Sequence, residues 1–144
     1  MIGVLYSILA GFLIGIQNVF NTRLGEKLGS WGTILLIHFL GLIASIIVFT
    51  LYKESFKALL SGLGNVNKLY VIGGFFGVVI LFGVMKGVTI LGATSAVAIL
   101  LTAQLLISLI IDTFGLFGME KVQFVITKPL GIIVMIIGII LIKS

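Results

Sequence analysis

Residues 93–111 read ATSAVAILLTAQLLISLII. These nineteen residues carry no charge. As a helix rising about 1.5 Å per residue they span roughly 28 Å, close to the ~30 Å hydrocarbon core of a bilayer. A continuous apolar run of that length satisfies its own backbone hydrogen bonds in lipid only as a helix. Four further runs flank it, at about residues 2–20, 31–52, 69–91 and 129–142. The last is short, since its residues rise only about 21 Å. It is expected to begin earlier, within 122–127, or to sit in thinned bilayer. The first run lacks a basic leading segment and a small-residue cleavage site, so it is read as a span and not as a signal peptide. The expected fold class is all-α integral membrane, with residues 1–144 forming a single domain of five transmembrane helices.

Composition agrees. Of 144 residues, 60% are hydrophobic and 9% are charged, against roughly 25% charged in soluble domains. The mean hydropathy is +1.40. Nine basic and four acidic residues are too few to solvate a globule of this size, which excludes an ordinary soluble domain and a disordered chain. The basic residues are scattered, so no nucleic-acid partner is expected. With no cysteine and one histidine, no metal site and no cofactor are expected. No nucleophile–base pair is present, and the chain is not read as an enzyme.

Local signals mark the span ends. Trp31, Tyr52 and Tyr70 stand where amphipathic rings meet headgroups. Thr127-Lys128-Pro129 suits a helix start, because proline is tolerated in a first turn. Between spans 2 and 3, Phe56, Leu59, Leu60 and Leu63 recur at i, i+3, i+4 and i+7. That stripe is expected as a short helix in the interface, against the plainer reading of a loop. Segment 112–128 is expected to lie along the interface as well.

An odd number of spans puts the termini on opposite sides. The N-terminal side then holds Lys53, Lys57, Lys68, Lys121 and Lys128, and the other side holds Arg23, Lys27, Lys86 and Lys143. Orientation follows the Lys/Arg bias of short loops, and a bias of one residue barely specifies it. Either the chain inserts both ways and pairs with an inverted copy, or interfacial segments or a partner fix its orientation.

Polar side chains inside spans are expensive and are candidates for function. Gln17 and Asn21 share a face of span 1, with Asn18 beside a small-residue stripe of Ser7, Gly11 and Gly15. They are candidates to line a cavity or to hydrogen-bond between helices. On span 4, Gln104, Ser108 and Asp112 form a ridge over successive turns. Asp112 is a candidate proton or cation site, or an interfacial carboxylate paired with a lysine. His38 is a candidate proton carrier or a packing residue. Lys86 is placed to snorkel. Gly11, Gly15, Gly73, Gly74 and Gly77 are candidate surfaces for close helix approach.

GIQNVFNTRLGEKLGS at residues 15–30 and AQLLISLIIDTFGLFG at residues 103–118 resemble the span 1 exit and span 4 of the YdcZ-type five-span inner-membrane proteins of bacteria. The glycine-rich third span and KPLGIIVMIIGIILI at the end fit the same family. The resemblance covers essentially the whole chain, and span 4 is its most specific part. It implies membership of the drug/metabolite transporter superfamily, similar in plan to the four-span small multidrug resistance exporters. It implies a small antiparallel unit of ten helices, as a dual-topology homodimer or with an oppositely oriented paralogue. Gln17, Asn21, Gln104 and Asp112 match the family pattern, and His38 does not. The four-span exporters carry a glutamate in span 1. This chain has none there, so that exchange mechanism does not carry over.

The expected function is a multi-pass inner-membrane exporter of a small organic solute, working by alternating access at an antiparallel interface. Gln17, Asn18, Asn21, Gln104 and Ser108 would line its cavity, and Asp112 and His38 are its coupling candidates. The absence of a buried charge favours a neutral, zwitterionic or weakly polar substrate. A lipid flippase, a passive channel and a non-transporting subunit of a membrane complex remain as alternatives.

Overall fold

The computed structural model describes residues 1–143, with side chains through Ile142. Among these residues every regular element is helical: α1 (Ile2–Leu51), α2 (Phe56–Leu63), α3 (Lys68–Val71), α4 (Gly73–Leu91), α5 (Ala93–Phe114), a 3₁₀ turn (Leu116–Gly118) and α6 (Thr127–Lys143). Three helical stretches are long and apolar enough to cross a membrane: Ile2–Leu51, Lys68–Leu91 and Ala93–Phe114. A shorter apolar helix covers Thr127–Ile142.

Unbroken, α1 would be about 75 Å long, far beyond any hydrocarbon core. It breaks at Gly29, whose φ of 73° and ψ of 158° lie in a region essentially confined to glycine. The two arms of α1 are therefore residues 2–28 and 30–51. The first arm outlasts the apolar run, because Arg23, Leu24, Glu26, Lys27 and Leu28 are good helix formers. Arg23 Nη1 lies 3.2 Å from Glu26 Oε2 one turn away, a pair of the spacing that supports an isolated helix. The stretch 21–30, expected as a connecting loop, is thus helical up to a one-residue bend. Gly92 repeats the device between α4 and α5, with φ 78° and ψ 161°.

Two compact units divide the chain, one of residues 20–85 and one of residues 1–19 with 86 onward. In the first, Trp31 stacks on Phe82 with centroids 4.8 Å apart, and His38 Nε2 lies 3.3 Å from where a Cβ on Gly77 would stand. Residue numbers rise on α1 as they fall on α4, so the arm 30–51 runs antiparallel to α4. That arm closes with Lys53 at a left-handed φ of 54°. The Lys53 N–H donates to Thr50 O and the Glu54 N–H to Phe49 O, a paired carbonyl cap of the kind glycine usually completes. Phe49 then meets Phe56, centroids 4.7 Å apart. Ser55 caps α2, its Oγ accepting from the Ala58 N–H at 3.4 Å. The stripe of Phe56, Leu59, Leu60 and Leu63 lies on this helix, and all four are exposed.

In the second unit, α5 and α6 pack antiparallel. Asp112 faces Lys128 at one end, and Leu105 and Met135 line the same groove further along. Gly115, left-handed at φ 64°, ends α5 with its N–H donating to Ile111 O. The chain then turns back, and the Val122 N–H donates to Asp112 O at 2.9 Å.

Candidate functional site

Asn18, Asn21, Thr22 and Gly25 recur at i, i+3, i+4 and i+7, so they share one face of α1. Asn18, Asn21 and Thr22 are all buried in a chain whose large apolar side chains are mostly exposed. Within residues 20–85 the most enclosed side chain is Thr33, at 0% exposure, with Asn21 at 5%. The bend at Gly29 folds the arm 30–51 back, so Thr33 Oγ1 comes to 3.9 Å from the Cβ position of Gly25. The Met85 methyl occupies that Cβ position itself. At Gly25 a neighbour stands closer than a Cβ allows, and any larger residue there must displace Met85.

The Asn21 amide nitrogen and the Thr33 hydroxyl have no hydrogen-bond partner among the described residues. Leaving a buried donor unsatisfied costs about 1–3 kcal/mol, and such groups are few in native proteins. Asn21 lies one turn before Gly25 on the same face of α1, and Thr33 and Met85 stand at Gly25, so donors and a flexible thioether with no charge gather on this part of the helix. Thr33 and Met85 were not expected from the sequence. An isolated threonine in an apolar span and a methionine give no periodic signal; the bend at Gly29 brings Thr33 to Gly25, and the packing of α4 brings Met85 there.

The other expected residues lie elsewhere. Gln17 and Gln104 are exposed, as is His38. His38 Nδ1 lies 2.8 Å from Ile34 O. A carbonyl can only accept, so Nδ1–H donates and Nε2 faces Gly77. Gly11, Gly15, Gly73 and Gly74 have open space above them within the chain. Ser108 and Asp112 line a groove between α5 and α6, and Asp112 Oδ2 stands 3.7 Å from Lys128 Nζ. Among the described residues, no group of three His, Cys, Asp or Glu side chains is placed to hold a metal.

A family model described as "Putative inner membrane exporter, YdcZ" matches residues 2–141. No curated protein and no solved structure matches the chain. The apolar helices and the buried uncharged polar cluster suit a chain that works inside a membrane. This chain belongs to the YdcZ family of inner-membrane exporters.

Proposed function

We propose that the chain is half of an exporter on the drug/metabolite transporter plan. Residues 2–28, 30–51, 68–91, 93–114 and 127–142 are its five spans, and two oppositely inserted copies, or one copy with an inverted paralogue, make the working unit of ten. The observation that carries this reading is the pair of unpartnered buried groups on Asn21 and Thr33. In a lipid-facing chain, uncharged donors kept from lipid are placed to receive an acceptor oxygen of a neutral or zwitterionic solute. The exposed Gln17, Gln104 and Ser108, and the open notches over Gly11 and Gly15, support a second copy against these faces. Transport then needs two packings within a few kcal/mol, exchanged by alternating access. Asp112 is the proposed coupling carboxylate, and its pairing with Lys128 would open and close in the cycle.

Two experiments test this. Paired C-terminal reporters, each active on one side of the membrane, should both give signal when the chain is expressed alone. Signal from one side only means that an inverted partner is required. Proteoliposomes loaded with a panel of labelled neutral and zwitterionic solutes should then show efflux of at least one, lost in Thr33→Val and in Asn21→Leu. Efflux unchanged by both variants overturns the proposed site. Single-channel currents would favour a channel, and absence of any flux a structural subunit.

A further inference from the structure

The groove between α5 and α6 has a volume of about 430 Å³, within the range of small-molecule sites. Its two regions differ in chemistry. At one end stand Asp112 and Lys128, 3.7 Å apart, each side chain about 40% exposed, so both charges stay reachable. Leu105, Leu109 and Ile132 line the rest. Leu105 lies seven residues before Asp112, about 10 Å along the helix. Gly131, in the same wall, has nothing within 4 Å of its Cβ position, so the groove is open on that side.

Asp112 sits in the last turn of α5 and Lys128 in the first turn of α6. Both are at an end of an apolar helix, the depth at which headgroups lie, while the apolar walls run toward mid-span. The charges at the mouth cancel. An anionic headgroup would gain Lys128 and be repelled by Asp112. A headgroup carrying both phosphate and ammonium matches both charges, the phosphate meeting Lys128 and the ammonium Asp112. A quaternary ammonium has no N–H to donate to Asp112, whereas a primary ammonium forms a charge-assisted hydrogen bond there.

We infer that this groove is a binding site for one zwitterionic phospholipid with a primary ammonium headgroup, its acyl chain lying against Leu105, Leu109 and Ile132. The site shares Asp112 and Lys128 with the proposed coupling pair, but its test reads retained lipid and not transport, so a failed efflux assay leaves it standing.

The test uses the full chain reconstituted in nanodiscs of equimolar phosphatidylethanolamine, phosphatidylcholine and phosphatidylglycerol with matched chains. The protein is then re-extracted in detergent, and retained lipid is identified by mass spectrometry. Phosphatidylethanolamine should be retained about tenfold over phosphatidylcholine, the factor that one charge-assisted hydrogen bond supplies. Asp112→Asn should shift retention toward phosphatidylglycerol, and Lys128→Gln should lower total retained lipid, phosphatidylglycerol most, while the preference for phosphatidylethanolamine over phosphatidylcholine set by Asp112 persists. Gly131→Leu, whose Cβ would meet no atom within 4 Å and whose side chain enters the groove, should lower total retained lipid with both charges intact. Circular dichroism and melting of each variant establish that it folds. Equal retention of the three lipids by the unmodified protein, or an Asp112→Asn variant that still selects phosphatidylethanolamine, overturns the site. So does a Gly131→Leu variant that loses cross-linking between copies but keeps its lipid, because the groove would then hold a second copy.

Discussion

The bends at Gly29 and Gly92 invite comparison. Their backbone angles agree within a few degrees, and each follows a leucine and precedes a helical arm, residues 30–51 and 93–114. Displaced by the same interval, Leu42, Ser45, Ile47 and Thr50 have counterparts in Leu105, Ser108, Ile110 and Thr113. Both arms end at a residue of positive φ, Lys53 or Gly115. What differs is the chemistry hung on this common frame. Phe49 anchors the first arm to α2 through the ring of Phe56. At the corresponding position of the second arm stands Asp112, which reaches Lys128 of α6 by charge. Facing Gly25 across the first bend is Thr33; across the second, Ala96 faces Gly87, its Cβ 3.7 Å from the Cβ position there. One backbone device thus supports a polar, enclosed site in one half and an apolar contact in the other. Backbone shape is set by where glycine stands, and local chemistry by single side chains at matched positions.

The comparison breaks first at the glycines. Gly29→Ala and Gly92→Ala should each cost about 1–3 kcal/mol. The two losses should be nearly equal, because neither Cβ would meet an atom within 4 Å and the cost is conformational alone. Unfolding by denaturing detergent measures both, and a mild Gly92→Ala would show that the bends are not equivalent. Next come the anchors. Phe49→Ala should cost about 1–2 kcal/mol through the lost ring contact, and Asp112→Ala less than about 1 kcal/mol, since a half-exposed ion pair contributes little. Equal losses in the same assay would mean that the ion pair is far better shielded than its exposure indicates. At the site, Thr33→Val should raise stability by about 1 kcal/mol, because it deletes an unsatisfied hydroxyl of similar volume, while abolishing efflux. A destabilised Thr33→Val would show that the hydroxyl already has a structural partner. Smallest is Lys53→Gly, expected to gain about 0.5 kcal/mol by relieving a left-handed side-chain-bearing residue. The same melts should show no gain if the cap is unstrained.

Much of this protein is readable from its residues one segment at a time. The apolar runs, the proline-containing start of α6 and the stripe of α2 each depend on spacing within one helix, and lipid penalises any alternative for such runs. The segment 21–30 was less legible. Its charges suggest a loop, yet charged residues that are good helix formers prolong a helix until a residue of special conformation stops it. The candidate site was legible only in part. Asn21 stands out as a polar group in an apolar span, whereas Thr33 and Met85 look like ordinary residues of their own helices.

The sequence by itself determined that the chain is helical and membrane-embedded, because those properties follow from the solvent each run tolerates and need no knowledge of neighbours. It also showed the family, through motifs spread over the chain. Only the tertiary structure decided that Thr33 and Met85 meet the Asn21 helix at Gly25, and that Asp112 faces Lys128. These pairings depend on how the chain turns between helices and on which helix faces then meet, quantities that no spacing within one helix encodes.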